Sequence, residues 1–224
     1  MRQLSHKFPN IYVEESGRQQ ALYTRTHIAR PLFDERFKRD GSEQYRYFDP
    51  RRSKLCAALH KGISQVGIRE GDSVLYLGAS HGYTASFVAD MVGASGAVFC
   101  VEFAPRVARD LYFACKAVPR MIPILADANH PEGYKGRITP VTVVYQDIAQ
   151  RHQVAIFLKN CQAFLERGRF GLLALKSRSI DVAANPKDIY ARVRAELERS
   201  VTVVDYRQLD PFELDHAFFV VKTR

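Results

Sequence analysis

A glycine turn and an acidic residue stand at the ends of two successive apolar runs near the middle of the chain. The turn Gly78-Ala-Ser-His-Gly82 follows the apolar run from Val74 to Leu77 and precedes apolar residues at helical spacing. Such a strand–turn–helix unit opens nucleotide-binding α/β folds, because glycines let the backbone approach a ligand and the helix start offers unpaired N–H groups. Glu102 ends the next apolar run, where a carboxylate can accept hydrogen bonds from a ribose diol. This pattern predicts a nucleotide-like ligand; the alternative is an ordinary turn, with Glu102 as an acid flanking a helix.

Two aspartates follow the third and fourth apolar runs in the same way. Asp127 comes after the run from Ile122 to Leu125, and Asp147 comes after the run that ends near Gln146. Doubly wound sheets bind ligands at the carboxyl ends of their strands, and a carboxylate can accept a hydrogen bond from the amine of an adenine. The alternative for each aspartate is that it caps the helix that follows it.

Apolar runs that alternate with helical patterns predict the elements that must hold these residues. We expect strands near 73–78, 97–102, 121–126, 141–146 and 170–176, and helices near 83–92, 105–117, 150–166 and 187–199. Alternation with short loops predicts a parallel sheet with helices on both faces. Only a short turn separates the last two runs, 201–209 and 217–222, which predicts a hairpin. A parallel sheet that ends in an antiparallel pair is characteristic of methyltransferases, so the predicted fold class is α/β with a Rossmann-like methyltransferase sheet.

The first 50 residues have a different pattern. Short β-prone runs at 11–13, 20–24 and 45–48 are separated by polar and glycine-containing stretches, which predicts a small antiparallel sheet. We interpret residues 1–50 as a small N-terminal β domain and residues 51–224 as the methyltransferase domain, which starts with a helix around Leu55 to Ile63.

The composition favours an anionic partner. The 224 residues carry a formal net charge of +9, which suits nucleic acid above all. The four cysteines are scattered without a Cys-x-x-Cys pair and lie in apolar surroundings, so we expect reduced core residues and no metal site. No window is apolar enough for a membrane span and the N-terminus lacks the core of a signal peptide, so we expect a soluble, cytoplasmic protein.

Several motifs in order carry a family resemblance. They are Pro50-Arg-Arg-Ser-Lys-Leu55, Val74-Leu-Tyr-Leu-Gly-Ala79, Val101-Glu-Phe-Ala-Pro-Arg106, Ile122-Pro-Ile-Leu-Ala-Asp-Ala128, Asp147-Ile-Ala-Gln150, Lys176-Ser-Arg-Ser-Ile-Asp181 and Asp215-His216. With these motifs the chain resembles fibrillarin, the ribose 2′-O-methyltransferase of box C/D guide ribonucleoproteins. The N-terminus carries no arginine–glycine-rich tail, which is similar to the archaeal branch; a eukaryotic member would be nucleolar. The family usually has a serine and a threonine where His81 and Tyr83 stand.

The resemblance implies S-adenosyl-L-methionine as the cofactor. The glycine turn would hold its methionine end, Glu102 its ribose and Phe103 the face of its adenine. The cofactor-binding residues that the resemblance implies are Gly78, Ala79, Gly82, Tyr83, Thr84, Glu102, Phe103, Asp127, Ala128, Asp147, Ile148, Ala149 and Gln150.

The resemblance also implies a catalytic group of Lys54, Asp147, Lys176 and His216. A ribose 2′-hydroxyl is a poor nucleophile, so the enzyme must align it with the methyl group and ease the loss of its proton. A lysine ammonium stabilises developing negative charge on that oxygen; we predict Lys176 for this role and Asp147 as the residue that holds it in place. Without the resemblance, Lys176 would be a solvated strand end and His216 an ordinary hairpin histidine.

Arginines on loops and helix starts surround the predicted site. They are predicted to contact RNA phosphates, and a solvated basic surface is the alternative; they are Arg51, Arg52, Arg106, Arg109 and Arg178. The partners that the resemblance implies are a box C/D guide RNA, a ribosomal or transfer RNA substrate, a Nop-domain scaffold protein and a kink-turn-binding protein of the ribosomal type.

Two rival functions remain open from the sequence. The first is an RNA-binding assembly subunit that kept the fold and lost activity, which His81 and Tyr83 favour. The second is a dinucleotide-dependent oxidoreductase, which is disfavoured because residues 78–82 lack the Gly-x-Gly-x-x-Gly spacing.

Overall fold

The β-prone runs of the N-terminal region form a five-stranded antiparallel sheet. The computed structural model describes residues 1–17 and 19–224. Along the chain the strands of this sheet are β1 Arg2–Gln3, β2 Ile11–Ser16, β3 Gln19–Arg25, β4 Phe37–Asp40 and β5 Glu43–Phe48, in the spatial order β1-β2-β3-β5-β4. The predicted small antiparallel sheet is confirmed. The sequence pattern missed β1 and β4, which are short, polar edge strands with exposed residues.

The remaining strands form a seven-stranded sheet with helices on both faces. Its elements are α1 Lys54–His60, β6 Ser73–Leu77, α2 Tyr83–Val92, β7 Ala97–Glu102, α3 Pro105–Ala117, β8 Met121–Leu125, β9 Val143–Gln146, α4 Gln153–Phe164, β10 Phe170–Lys176, α5 Ser177–Ile180, α6 Pro186–Leu197, β11 Val201–Gln208 and β12 His216–Thr223. The spatial order is β11-β12-β10-β9-β6-β7-β8. The five strands from β10 to β8 in this order are parallel, and β12 runs antiparallel to both β10 and β11. The predicted methyltransferase-type sheet with its terminal hairpin is confirmed.

Side chains alternate across the large sheet and build an apolar core on each face. Val74 and Tyr76 of β6 pack with α1, α2 and α3, while Leu75 and Leu77 pack with α4 and α6. The core on the first face also contains Phe48 of the N-terminal sheet, whose ring stacks on Phe87 of α2 with 4.2 Å between centroids. The two sheets therefore share one core, and the domain boundary near residue 50 stays a prediction.

The starts of two helices exclude the alternatives for the aspartates. Helix α4 begins at Gln153, later than predicted, and His152 occupies its N-cap position. The short 3-10 helix Pro131–Gly133 has His130 at its N-cap position. Neither Asp147 nor Asp127 is therefore the N-cap residue of the helix that follows it.

A buried ionic network joins the N-terminal sheet to α2. The fully buried guanidinium of Arg46 on β5 donates from Nε to Asp90 of α2 at 2.8 Å and lies 3.3 Å from Glu35. Asp90 also accepts hydrogen bonds from the hydroxyls of Thr24 and Thr26 at 2.6 and 3.1 Å. A buried charge that loses its partner is costly, so this network fixes the orientation of the helix that carries the glycine turn.

All four cysteines are buried free thiols, which confirms the prediction that they are reduced core residues. Among residues 1–17 and 19–224, no helix is long and apolar enough to cross a membrane.

Candidate active site

The predicted ligand-binding residues meet at one edge of the large sheet. Parallel pairing of β8, β7, β6 and β9 brings the carboxyl ends of these strands to the same side. The N–H groups of Gly78 and Asp147 donate to the carbonyls of Val101 and Leu77, both at 2.9 Å. The glycine turn therefore lies between the end of β7 and the end of β9.

Gly78 is required at this edge by a close backbone approach. Its φ is +77°, and a Cβ on it would lie 2.4 Å from the carbonyl oxygen of Asp147 and 2.9 Å from Cγ1 of Ile148. The second glycine, Gly82, has a different role: a Cβ there would lie 3.0 Å from Met121 and 3.1 Å from Leu111. Gly82 thus allows α2 to pack closely beside α3 and does not line the cavities described next.

A cavity of about 300 Å³ opens between the ends of β6, β7, β8 and β9. It is lined by Gly78, Ser80, Val101, Glu102, Phe103, Ala126, Asp127, Ala128, Asp147, Ile148, Ala149 and Gln150. The structure thus brings together most of the predicted cofactor-binding residues. The ring of Phe103 is 62% exposed and is available to stack on a flat ligand.

Glu102 holds the cavity together through backbone hydrogen bonds. Its Oε1 accepts from the N–H groups of Phe103 and Ala104 at 3.1 and 3.0 Å, and its Oε2 accepts from Ser80 at 3.0 Å. The buried carboxylate therefore ties the glycine turn to the start of α3. A carboxylate accepts about four hydrogen bonds, so capacity remains for a ribose diol.

Asn129, which the sequence analysis did not single out, links two predicted residues of this cavity. Its backbone N–H and Nδ2 both donate to Oδ1 of Asp127, at 2.9 and 2.8 Å, and Nδ2 lies 3.4 Å from Oε1 of Gln150. The hydrogen bonds from Asn129 lower the pKa of the Asp127 carboxyl, so it is ionised at neutral pH.

A second cavity, of about 750 Å³, adjoins the first at Gly78, Ser80 and Asp147. It is lined by Leu32, Phe33, Asp34, Arg52, Lys54, Tyr76, Gly78, Ala79, Ser80, His81, Tyr83, Thr84, Asp110, Phe113, Ala114 and Asp147. Three of these residues, 32–34, belong to the loop before β4 of the N-terminal sheet. The N-terminal region therefore supplies one wall of the site, which the sequence analysis did not predict.

Lys54 and Asp147 form an ion pair in the second cavity. Lys54 Nζ lies 3.1 Å from Asp147 Oδ2, and the two side chains are 21% and 22% exposed. Burial lowers the pKa of Lys54, but Asp147 and Glu213 outweigh it, so the pKa is raised overall. Asp147 does not pair with Lys176 in this structure, contrary to the prediction: its partner is Lys54, the first residue of α1.

Lys176 lies at the end of β10 with an exposed side chain, and within the described residues its ammonium makes no ion pair. Its backbone is held firmly, since its N–H donates to Oε1 of Gln153 at 3.1 Å and its carbonyl accepts from Nε2 of Gln153 at 3.0 Å. In the strand register Lys176 stands directly opposite His216.

His216 is buried and held in one tautomer. Its Nδ1 lies 2.7 Å from the carbonyl oxygen of Leu214, and a carbonyl only accepts, so Nδ1 carries the proton. Burial lowers the pKa of the imidazole, which is therefore neutral near pH 7 with its lone pair on Nε2.

Glu213 is a fifth ionisable residue of this region, and the sequence analysis missed it. Its carboxylate is 20% exposed and lies 4.0 Å from Nδ1 of His216. The pKa of Glu213 is raised overall, because burial and the nearby Asp147 outweigh the opposite effect of Lys54 and Lys176. The sequence feature that could have indicated Glu213 as a residue of the site is its position in the predicted hairpin turn, three residues before His216.

The predicted RNA-binding arginines have different surroundings. Arg52 donates to the carbonyl of Phe33 at 2.7 Å and lies over the Tyr83 ring at 4.3 Å, inside the wall of the second cavity. Arg178 donates to Asp215 at 2.9 Å and to the carbonyl of Val182 at 2.6 Å, so it braces the turn before β12.

The other three arginines are exposed, as is Arg52. Arg51 lines a groove of about 1120 Å³ beside the second cavity, whereas Arg106 and Arg109 lie on α3. RNA contact by the five arginines stays a prediction.

The two residues that depart from the family pattern occupy different places. Tyr83 packs edge-on against Phe33 with 5.6 Å between ring centroids, and its hydroxyl accepts from the N–H of Asp49 at 3.3 Å. Burial raises the pKa of Tyr83 to about 12, so its phenol stays neutral. His81 is exposed, 3.8 Å from Asp110. Both residues line the second cavity without entering the Lys54–Asp147 pair.

The sheet, its terminal hairpin and the two adjoining cavities define a Rossmann-like methyltransferase of the S-adenosylmethionine-dependent class. The fibrillarin family matches residues 3–224. The chain belongs to this family, which confirms the predicted resemblance.

Individual similar proteins match this chain over nearly its whole length. A fibrillarin-like rRNA/tRNA 2′-O-methyltransferase of Thermococcus onnurineus is 41% identical over 224 residues, with 99% of each chain covered. The crystal structure of Aeropyrum pernix fibrillarin with natively bound S-adenosyl-L-methionine matches with a TM-score of 0.89 and 37% identity, covering 98% of this chain and 96% of that one. The fibrillarin chain of a fibrillarin/Nop5p complex matches with a TM-score of 0.88 and 31% identity over 100% of both chains.

Proposed function

We propose that this protein is the catalytic subunit of a box C/D ribonucleoprotein and methylates ribose 2′-hydroxyls of ribosomal or transfer RNA. Family membership and the names of the relatives support an RNA 2′-O-methyltransferase. The observation that carries the proposal is the Lys54–Asp147 ion pair, which places a held cation where the two cavities meet.

The first cavity fits the adenosine part of S-adenosyl-L-methionine. Phe103 offers an exposed ring, Glu102 retains acceptor capacity for the ribose, and Gly78 lets the glycine turn approach the backbone of Asp147 closely. The cofactor would then extend past Gly78 and Ala79 toward the second cavity. When bound, it supplies a methyl group that its sulfonium has already activated.

The chain's own residues must prepare the 2′-hydroxyl. The Lys54 ammonium, held by Asp147, stabilises negative charge that develops on the 2′-oxygen. Lys176 is the second cation of the site and is exposed to an incoming strand. The neutral His216 has an unprotonated Nε2 that can accept the hydroxyl proton. Residues 32–34 and Tyr83 would form the wall of the second cavity beside the reacting groups.

The proposed partners follow from the family. The fibrillarin/Nop5p complex supports a Nop-domain scaffold as the protein that docks this chain. A guide RNA would select the target nucleotide by base pairing, so that this chain needs to recognise only backbone and shape. A kink-turn-binding protein would complete the particle.

A reconstituted particle tests the proposal. The protein, the scaffold, the kink-turn-binding protein and a guide RNA are incubated with methyl-labelled cofactor and a complementary target RNA. We expect one labelled ribose, whose position moves when the guide is redesigned. A target with 2′-deoxyribose at that position should accept no label. Lack of transfer by an assembled particle that binds the cofactor would refute catalysis and favour the inactive assembly subunit.

A further inference from the structure

The turn between β11 and β12 directs one acidic side chain toward the catalytic residues. Within this turn Leu214 is 69% exposed, whereas the neighbouring Glu213 is only 20% exposed. Two hydrogen bonds fix the conformation of this turn. The N–H of Glu213 donates to the carbonyl of Leu209 at 3.2 Å, and Lys61 donates to the carbonyl of Asp210 at 2.8 Å. The inward position of Glu213 is therefore a property of the fold.

Four ionisable groups from four elements face the Glu213 carboxylate. Lys54 of α1, Asp147 at the end of β9 and Lys176 of β10 all act on it electrostatically, and His216 of β12 lies 4.0 Å away. Of these four groups, Lys54 and Lys176 are cations, His216 is neutral and Asp147 is the anion. Glu213 brings the group to two cations and two anions.

We propose that Glu213 is a positioning residue of the methyltransferase: its carboxylate is a second counter-charge, beside Asp147, that holds the two lysine ammoniums directed into the site. Like charges brought close together in a partly buried site disfavour each other's charged form. Without Glu213, Lys54 and Lys176 would repel each other, with the single carboxylate of Asp147 between them. This inference rests on the proposed methyl transfer, and it assigns Glu213 no contact with the substrate.

The charge of Glu213 also acts on His216. A carboxylate 4.0 Å from Nδ1 stabilises the imidazolium, whereas Lys54 and Lys176 destabilise it. Removing the carboxylate should therefore lower the pKa of His216 further. It should lower the pKa of Lys54 as well, because this ammonium loses a nearby negative charge.

The test compares Glu213→Gln with Glu213→Asp and the wild-type protein in the reconstituted particle at saturating cofactor. We expect Glu213→Gln to lower kcat about tenfold with little change in KM for the cofactor. Both limbs of its pH profile should move to lower pH, by about half a unit to one unit. Glu213→Asp should restore part of both effects. The matched control is Glu198→Gln, which removes one carboxylate from the exposed pair with Arg194 and should leave the profile unchanged.

A measurement without catalysis separates this inference from the proposed function. Histidine NMR titration of the protein alone should show a lower pKa for the His216 imidazole in Glu213→Gln. If the wild-type particle is inactive, the proposed function fails, and a lowered His216 pKa would still support the electrostatic role. If Glu213→Gln lowers kcat equally at every pH, so that neither limb of the pH profile moves, and the pKa of His216 is unchanged, the positioning role is refuted. Should Glu213→Gln not fold, Glu213→Asp decides: an unmoved His216 pKa and wild-type kcat would overturn the proposal.

Discussion

Asp147 and Lys54 should act as one unit, and a double-mutant cycle can measure this. The perturbations are Lys54→Met, which keeps the apolar stem, and Asp147→Asn, which keeps the shape of the cavity wall. At 3.1 Å, two unit charges attract by about 5 kcal/mol at an effective dielectric constant of about 20. Because both side chains are about one-fifth exposed and lose hydration in the site, we expect a net coupling of about 2 kcal/mol.

This coupling predicts strongly non-additive rates. Single-turnover methylation at saturating cofactor should fall about a hundredfold or more in each single variant, and the double variant should be about 30-fold faster than the product of the two losses. The comparison cycle uses Lys176→Met with Asp147→Asn, whose losses should be closer to additive. Additive losses for Lys54 and Asp147, or a larger coupling between Lys176 and Asp147, would show that the ion pair of the structure is not the one used in the reaction.

Three further changes test other parts of the molecule. Glu102→Ala should weaken cofactor binding by about 1–3 kcal/mol in calorimetry, and unchanged affinity would remove Glu102 from the ribose site. Asp90→Asn should lower the free energy of unfolding by about 1.5–3 kcal/mol in a denaturant titration, because Arg46 loses a charged hydrogen bond and keeps only its pair with Glu35; a change below about 1 kcal/mol would mean that the network contributes little. Arg51→Ala combined with Arg52→Ala should weaken RNA binding for all sequences and reduce its salt dependence, whereas a loss confined to certain target sequences would indicate base contacts.

The sequence was sufficient where a local pattern determines the structure. The run from Val74 to Leu77 and the turn after it predicted both the strand and the place of Gly78, because a buried strand and a close backbone approach each limit the residue types allowed. The helix over 83–92 was predicted correctly for the same reason. The start of α4 was placed too early, since residues 150–152 are compatible with either a helix or a turn.

Pairings between distant residues could not be predicted from local patterns. Asp147 follows a strand in the way a ligand-binding residue does, but its partner Lys54 is 93 positions away in the sequence. From residue type alone, Lys176 is an equally suitable cation to pair with Asp147. Glu213 was missed because only the conformation of its turn decides that it faces inward while Leu214 faces solvent. The Lys54–Asp147 pairing and the inward position of Glu213 both depend on how the strands are arranged in the fold, and not on the neighbouring residues in the sequence.

The buried Arg46 network has a consequence for how the protein unfolds. Separating the N-terminal sheet from α2 would leave the charge of Asp90 without its partners, because Arg46, Thr24 and Thr26 all belong to the N-terminal region. It would also expose the stacked rings of Phe48 and Phe87. Both penalties arise as soon as the sheets part, so a state with one sheet folded and the other released is disfavoured. We therefore expect one cooperative transition for the whole chain in calorimetry, and we expect cofactor at the glycine turn to protect backbone amides of β3 and β5 from hydrogen exchange, although it touches neither strand.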